Sequence, residues 1–478
     1  MGASLLKGLD YEEALLLGLL LLVLLPCRHR FHRHAALFAL RFTAGWWLSV
    51  GLIAATVTWI GFTAYERVHY NADLWLHFGF KGDAARFLQA SAGLATVMTG
   101  FVLWKLIRPG SRNPPPLASR EDLAKVLPLV RQSAGTNGTL ALLGDKRFLF
   151  SESGRSFLMF GIQGRTWVTM GDPIGDPEEL EELEELEELE ELEELEELED
   201  LIWSFRERCD ESGARPFFYQ VSAESAHAYT GLGLLLYKLG EEAQMELTGF
   251  GLEGASRKNL RRNHARVERD GATFEIIGRE RFEEVVAELR AVSDGWLGDK
   301  SAGEKSFSMG SFREEYLSYF DFAVVRLEGR IVAFANICGS GGKEELSVDL
   351  MRHVEAAPHG VMEYLFVELM LWGKAQGYQW FNLGMAPLSG LENRALAPLW
   401  QRLGAQIFSM GEHFYNFQGL RAYKEKFDPV WRPRYLACPG VLSLPVVLLD
   451  IAARIGGGLV RSLGGKGGNP KEKEGGRG

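Results

Sequence analysis

Residues 321–387 read DFAVVRLEGRIVAFANICGSGGKEELSVDLMRHVEAAPHGVMEYLFVELMLWGKAQGYQWFNLGMAP, and the fold turns on this stretch. It opens with three β-rich runs at 322–327, 331–337 and 345–351. Glu328-Gly329 separates the first two, and Gly339-Ser340-Gly341-Gly342 precedes the third. Short β-rich runs joined by glycine-containing turns predict an antiparallel meander. The run 361–372 follows, with Gly360 before it and Gly373 and Gly377 behind. Its apolar residues cover nearly every side, which predicts a buried helix. Gln379-Trp380-Phe381-Asn382-Leu383 then predicts a short buried strand ending in Gly384-Met385-Ala386-Pro387. The fold class expected is α/β (α+β), with a helix packed on a mostly antiparallel sheet.

Three motifs in and after this stretch carry a family resemblance. ELSVDLMR at 345–352, FNLGMAPLS at 381–389 and FYNFQGLRAYKEKF at 414–427 resemble the C-terminal synthase domain of bacterial phosphatidylglycerol lysyltransferases. These are the multiple-peptide-resistance-factor proteins, which include an alanyl-transferring branch. The resemblance covers roughly residues 122–438, apart from one inserted repeat. It implies tandem GNAT-like acyltransferase folds, with aminoacyl-tRNA donating its amino acid to phosphatidylglycerol at the cytoplasmic face of the membrane. The expected organisation is a membrane region (1–110), a linker (111–120), a first GNAT-like domain (121–252), a second, catalytic one (253–436) and a tail (437–478).

A length of 478 residues allows two or three domains, and 46% hydrophobic residues suits a globular chain with some membrane content. Cys27, Cys209, Cys338 and Cys438 lie scattered, which argues against a disulfide framework or a zinc site. The apolar runs 42–65 and 87–107 reach the roughly 20 residues that a span needs, and 14–25 is marginal. Asp10, Glu12 and Glu13 stand where a secretory signal needs basic residues. Basic residues follow the first run (Arg28, Arg30, Arg33) and the third (Lys105, Arg108, Arg112). The positive-inside rule then puts the N-terminus outside and the large C-terminal part in the cytoplasm, and the resemblance implies a multi-pass anchor in the bacterial cytoplasmic membrane. Relatives carry a longer membrane region credited with moving the lipid across; anchoring is the expectation here. A His-x-x-x-Asp match at His69 and Asp73 falls in the outer loop and is not expected to be catalytic. The tail is apolar at 442–463 but broken by Pro445 and Gly456-Gly457-Gly458, which fits an interfacial helix better than a span.

Residues 178–198 are seven Glu-Glu-Leu triplets. A three-residue step turns an α-helix by about 300°, so the leucines wind around it, and the repeat fails the 3.5-residue period of a coiled coil. A solvated expansion is the plain reading and an acidic docking surface the alternative. Removing its fourteen glutamates from a net charge of −11 leaves +3, so the acidic balance says little about partners. The opposite charge gathers at Arg257, Lys258, Arg261, Arg262 and Arg266. On a helix these form a basic stripe that suits phosphates of tRNA or of anionic lipid, or simply a solvated face. Gly339-Ser340-Gly341-Gly342-Lys343 lacks the spacing of a phosphate loop, and no Gly-x-Ser-x-Gly elbow is present.

The reaction implied by the resemblance is an ester exchange, in which a glycerol hydroxyl of the lipid attacks the aminoacyl ester of the tRNA. It calls for a carboxylate to orient or deprotonate the hydroxyl, cations for the lipid phosphate and a donor for the oxyanion, with no metal or organic cofactor. Asp349 and Arg352 are candidates for the first two roles. Three residues apart they point oppositely in a regular strand, so meeting requires the strand to end or bulge near Met351. Lys426 resembles the family's catalytic lysine, with Lys424 competing for the role. Glu363, Asn382, Tyr423 and Lys424 are candidates for gripping the amino acid, and each candidate has the plain alternative of a structural salt bridge. Two rivals remain. A CoA-dependent acetyltransferase would want an Arg/Gln-x-x-Gly-x-Gly/Ala loop, absent from 352–360. A non-catalytic membrane scaffold would leave Asp349, Arg352 and Lys426 without a common purpose.

Overall fold

Strand-like and helix-like runs alternate along the chain, and the computed structural model describes them over residues 114–175, 184–299, 307–391 and 417–440, with a few helical positions between 15 and 59. In chain order come α1 (Arg120–Gln132), a 3₁₀ turn (Asn137–Leu143), β1 (Arg147–Phe150), β2 (Ser156–Gln163), β3 (Thr166–Met170), β4 (Ile174–Gly175), α2 (Glu184–Ser212), β5 (Arg215–Val221), α3 (Ala226–Gly231) and β6 (Leu235–Glu246). Then follow α4 (Lys258–Arg269), β7 (Thr273–Ile277), α5 (Phe282–Asp299), α6 (Glu314–Leu317), β8 (Asp321–Leu327), β9 (Arg330–Gly339), β10 (Glu345–His353), α7 (Val361–Gln376), β11 (Trp380–Pro387), α8 (Phe417–Glu425) and β12 (Val430–Cys438). Apart from those few positions, the expected membrane runs, the motif at His69 and Asp73, the first two repeat triplets and the chain beyond 440 lie outside the described residues. Among the described residues no helix is long and apolar enough to cross a membrane.

The strands form one sheet in the order β1-β2-β3-β5-β12-β6-β11-β10-β9-β8-β7, with β4 beside β2. The meander β8-β9-β10 begins with a two-residue turn in which Glu328 and Gly329 both take positive φ, 51° and 79°. That is the hairpin geometry matching the twist of the flanking strands. Parallel pairing occurs at β3–β5 and β10–β11. The last strand, β12, inserts between β5 and β6, so the sheet crosses residues 252–253 unbroken. Gly240 makes the β6–β11 contact possible, because a Cβ there would collide with the Ala386 carbonyl.

Apolar faces on both sides of the sheet are covered. In the second half, α7 buries Phe366, Leu369 and Met370 with β-strand residues such as Leu346 and Phe381, and Leu365 with Val325 and Ala333. Across the sheet, α5 buries Phe282, Val285, Leu289 and Val292 with Phe322, Phe334 and Leu350. Each such side chain contributes roughly 1.5–3 kcal/mol on burial.

The repeat is helical from Glu184 and runs without a break into the rest of α2. Beyond the triplets the apolar spacing becomes regular. Leu201, Ile202, Phe205 and Cys209 pack on Leu158, Phe160, Trp167 and Phe218. The last triplet is also fastened: the Glu197 carboxylate accepts from Ser153 Oγ (2.7 Å), Ser156 Oγ (2.8 Å) and Arg155 (3.2 Å). Burial alone would raise this carboxyl, but the serine hydroxyls and the Arg155 charge outweigh it and hold it below its ordinary value. Its stabilisation is therefore present above about pH 4.5 and fades as pH falls through the lowered folded value. Glu197→Gln is expected to cost about 1 kcal/mol at neutral pH and nothing at strongly acid pH. Thermal melts of the two proteins across that range check this, and a pH-independent difference would refute the assignment.

Candidate active site

Strands β10 and β11 pair over three positions only, Glu345 with Trp380, Leu346 with Phe381 and Ser347 with Asn382, and then part. Each has a backbone irregularity just beyond. On β10 the register against β9 shifts between Val348 and Met351, so Asp349 and Leu350 stand opposite a single residue, Asn336. The Asn336 side chain fills the gap, its Oδ1 accepting from Leu350 N–H at 2.7 Å. On β11 the register against β6 shifts between Asn382 and Met385, where Gly384 takes φ +80°. The expected bulge near Met351 is thus present. It turns Leu350 toward α5, while Val348 and Met351 both pack on the α7 side.

Asp349 is held from two elements. Gly310 N–H donates to its Oδ1 at 2.7 Å and Tyr316 Oη to its Oδ2 at 2.6 Å. Burial pushes its carboxyl above the usual aspartate range, against those two hydrogen bonds and the charge of Lys146. A raised, oriented carboxylate is what a general base needs to work near neutral pH. Arg352 does not join it in a contact. The residue is 3% exposed, and its guanidinium turns to α5, where it bonds the Ser293 hydroxyl and lies 5.1 Å over the Trp296 ring. The expected meeting of Arg352 with Asp349 is therefore not a direct contact in this structure.

The other lip of the parting carries Lys424. Its Nζ donates to the carbonyls of Gly384 and Met385, both at 2.9 Å. Burial depresses this ammonium to about 8, with Glu242 opposing. A buried polar chain runs from there across the sheet. Arg434 pairs with Glu242. Gln244 Nε2 donates to Glu242 (3.3 Å) and to Glu345 (3.1 Å), and Asn382 Nδ2 also donates to Glu345 (3.0 Å). Thr136 closes it, giving its N–H and hydroxyl to Glu345 Oε1 while accepting from Ser347. Burial, then the neighbouring Glu242, raises the Glu345 carboxyl.

Lys426 stands apart from this group. It is 48% exposed, donates to Glu363 Oε2 at 2.8 Å and lies 5.1 Å from the Tyr423 ring centre. Glu363, in the first turn of α7, also accepts from Asn263 Nδ2 at 2.8 Å. The Tyr423 ring packs among Phe366 and Phe427, and its hydroxyl is buried without a hydrogen-bond partner. The structure therefore brings Lys424 and Asn382, not Lys426, Glu363 or Tyr423, to the parting of the strands. Lys426 follows Glu363 because α8 ends against the start of α7, whose first turn presents that carboxylate.

The basic stripe on α4 divides in two. Arg257 donates to the Phe427 carbonyl at 2.5 Å and Arg261 to the carbonyls of Leu252 (2.5 Å) and Gly254 (3.2 Å). Lys258 and Arg262 are exposed. On the seam with α7, His264 lies between two carboxylates, Nε2 2.5 Å from Glu368 and Nδ1 3.6 Å from Glu268. These three are the one group among the described residues with metal-ligand types at close range, and the hydrogen bond to Glu368 raises the imidazole as a protonated bridge would require.

Sequence reasoning missed Tyr316, Gly310, Asn336 and Lys146, which lie 13 to 203 residues from Asp349 and carry no local motif. Glu345 stood inside a quoted motif and was overlooked because buried carboxylates are not recognisable in a strand pattern. Asn336→Leu keeps the volume but leaves the Leu350 amide unpaired, which costs about 1–3 kcal/mol. We expect a lower melting temperature together with slower turnover. An unchanged melting temperature would show that the bulge does not depend on this side chain.

The sequence matches the family described as "Phosphatidylglycerol lysyltransferase, C-terminal" over residues 128–438. Similar proteins include phosphatidylglycerol lysyltransferases of Bacillus subtilis, 36% identical over 344 residues (71% of this chain, 38% of that one), and of Staphylococcus xylosus, 28% identical over 425 residues (88% and 47%). The chain thus spans less than half the length of these relatives. Among solved structures, the C-terminal domain described as that of a lysylphosphatidylglycerol synthetase from Agrobacterium fabrum is 40% identical, with TM-score 0.62 over 71% of this chain and 98% of that one. L-PGS from Bacillus licheniformis is 36% identical, with TM-score 0.60 over 72% and 99%. These structures share the mixed α/β, GNAT-like fold of this chain. With residues 128–438 matched, the chain belongs to the phosphatidylglycerol lysyltransferase C-terminal family.

Proposed function

We propose that this chain transfers an aminoacyl group, lysyl in preference to alanyl, from aminoacyl-tRNA to the glycerol headgroup of phosphatidylglycerol at the cytoplasmic membrane face, lowering the negative charge of the membrane. The observation that carries the reading is the divergence of β10 and β11, with the Asp349 carboxyl held by Gly310 and Tyr316 on one strand and Lys424 held by the Gly384 and Met385 carbonyls of the other; burial raises the first group and depresses the second to about 8. In this reading Asp349 takes the proton of the lipid's glycerol hydroxyl as its oxygen bonds to the aminoacyl carbonyl carbon. Lys424 faces the oxyanion, and the ester oxygen of the tRNA ribose leaves with the proton returned. The preference for lysyl rests on the names of the relatives. Two fused acyltransferase-like folds, residues 121–252 and 253–436, and a membrane anchor in the preceding apolar runs complete the proposal. Lys258 and Arg262 are assigned to tRNA or lipid phosphates, because they are exposed while Arg257 and Arg261 bond carbonyl groups.

The CoA-dependent alternative is disfavoured by the first turn of α7. A helix N-terminus attracts phosphate through its free amides and dipole, but here Glu363 stands in that turn and is already paired with Lys426. A pyrophosphate would meet a buried carboxylate.

Expression in a host lacking aminoacylated lipids should yield a ninhydrin-positive phospholipid, and its absence would sink the proposal. In purified enzyme, Asp349→Asn and Lys424→Met should each lower kcat by about 10²–10³-fold, as loss of a base or an oxyanion donor does. Lys426→Met should cost about tenfold at most. Turnover should rise as pH passes the raised Asp349 value and fall as it passes about 8, where Lys424 loses its proton. A descending limb that survives Lys424→Met would assign it to another group.

A further inference from the structure

Residues 143–146 of the first half of the chain reach the candidate base of the second. Lys146 is wholly buried, its Nζ donating to the Leu140 carbonyl (2.9 Å) and to Asp145 Oδ1 (2.8 Å), 5.9 Å from the centre of the Phe307 ring. Asp145 Oδ2 in turn accepts from Phe307 N–H at 3.3 Å. Phe307 is buried with φ +71°, a left-handed conformation that a bulky residue adopts only when its surroundings impose it. Six residues on, Arg313 donates to the Leu143 carbonyl at 2.8 Å. Residues 307–313 are therefore a strap fastened at both ends to the segment 143–146. Between the fastenings, Gly310 gives its N–H to Asp349, so closely that a Cβ at Gly310 would collide with the carboxylate.

We propose that Lys146 and Asp145 are positioning residues for the transfer reaction: Asp145 fastens the strap that presents Gly310 N–H to Asp349, and the buried Lys146 ammonium supplies the positive charge facing that carboxylate. This rests on the reading of Asp349 as the base. Asp349 is partly buried, its carboxylate enclosed by Gly310 and Tyr316, and an enclosed carboxylate needs a cation to remain ionised. Arg352, its neighbour on β10, is engaged with Ser293 and Trp296. The charge of Lys146 acts to lower the Asp349 carboxyl, together with hydrogen bonds from Tyr316 and Gly310. Besides Lys424, held on the facing strand by the Gly384 and Met385 carbonyls, the titratable groups around Asp349 are Tyr316 from α6, Cys338 from β9, and Glu345 on β10 itself. Burial raises all three, so Tyr316 and Cys338 stay neutral through the working range. Lys146 and its partner Asp145 are then the charged groups that the first half contributes, which ties the two halves into one catalytic unit.

The test uses the full chain with charged tRNA and phosphatidylglycerol vesicles. Transfer is followed against pH for wild type, Lys146→Met and the double variant Asp145→Asn with Lys146→Met, which leaves no orphaned charge at position 145. The carboxyl stretch that disappears in Asp349→Asn is titrated by infrared spectroscopy in parallel. Both variants should move the acid limb and the infrared midpoint to higher pH, while KM for the lipid stays within about twofold. A purely structural role would lower kcat without moving either midpoint. Folded variants whose acid limb and infrared midpoint coincide with those of wild type overturn the proposal. A wild type that makes no aminoacylated lipid overturns the proposed function instead, and the infrared midpoint then decides the charge pairing alone.

Discussion

One backbone amide that the sheet cannot pair sets the geometry of the candidate site. β10 carries one residue more than β9 at Asp349-Leu350, and the Leu350 N–H finds its acceptor in the Asn336 side chain. Left unpaired in the interior, that amide would cost about 1–3 kcal/mol, so the bulge needs the acceptor on β9 to persist. A bulge bends its strand and re-aims the side chains beyond it. Here it coincides with the point where β10 loses β11 as a neighbour, and β11 has its own irregularity at Leu383-Gly384. Two strands that start as a parallel pair thus diverge, and each carries polar groups beyond the point of parting. Asp349 on one lip and the Gly384 and Met385 carbonyls holding Lys424 on the other are consequences of that divergence.

The gap is a place where charges are buried, and burial of charge has to be compensated. Glu242 is matched by Arg434, and Glu345 by four donors from Thr136, Gln244 and Asn382. Asp349 receives two hydrogen bonds and faces the Lys146 charge. Incomplete compensation is what leaves Asp349 raised and Lys424 depressed, and both shifts bring the groups closer to neutral pH, where proton transfer in either direction is easiest. The compensating groups come from β12, β6, β11 and the segments around 136 and 146. A site on β10 therefore depends on residues from nearly the whole described chain.

That dependence explains what the sequence could and could not reveal. The meander, the buried helix and the following strand were legible because periodicity and glycine turns are local, and Glu328-Gly329 is a hairpin signal in itself. The need for a bulge was legible from the spacing of Asp349 and Arg352 on one strand. The choice between Lys424 and Lys426 was not. They are two residues apart on one motif, and only the packing of α8 against α7 and β11 decides which enters the gap. The placing of Arg352 against α5 was not legible for a related reason, since a strand pattern does not show which helix lies over it. Tyr316, Asn336 and Lys146 meet Asp349 only through folding, and no pattern within their own segments marks them.

The same packing logic bears on what kind of acyl donor the fold can accept. The dipole at the start of α7 favours an anion, and Glu363 supplies one from within the chain, with Lys426 and Asn263 bound to it. A helix end already neutralised in this way holds little attraction for the phosphates of a small cofactor. In the proposed reading, phosphate recognition falls to α4 instead. Leu260 and Val267 anchor that helix in the core, Arg257 and Arg261 tie its start to neighbouring carbonyls, and Lys258 and Arg262 are left facing solvent. Exposed cations on a rigid helix engage a polyanion as point charges, without the enclosure a nucleotide pocket provides, and such contacts weaken steeply with salt. A donor whose phosphates form an extended backbone fits that arrangement, whereas one whose phosphates must be enclosed does not.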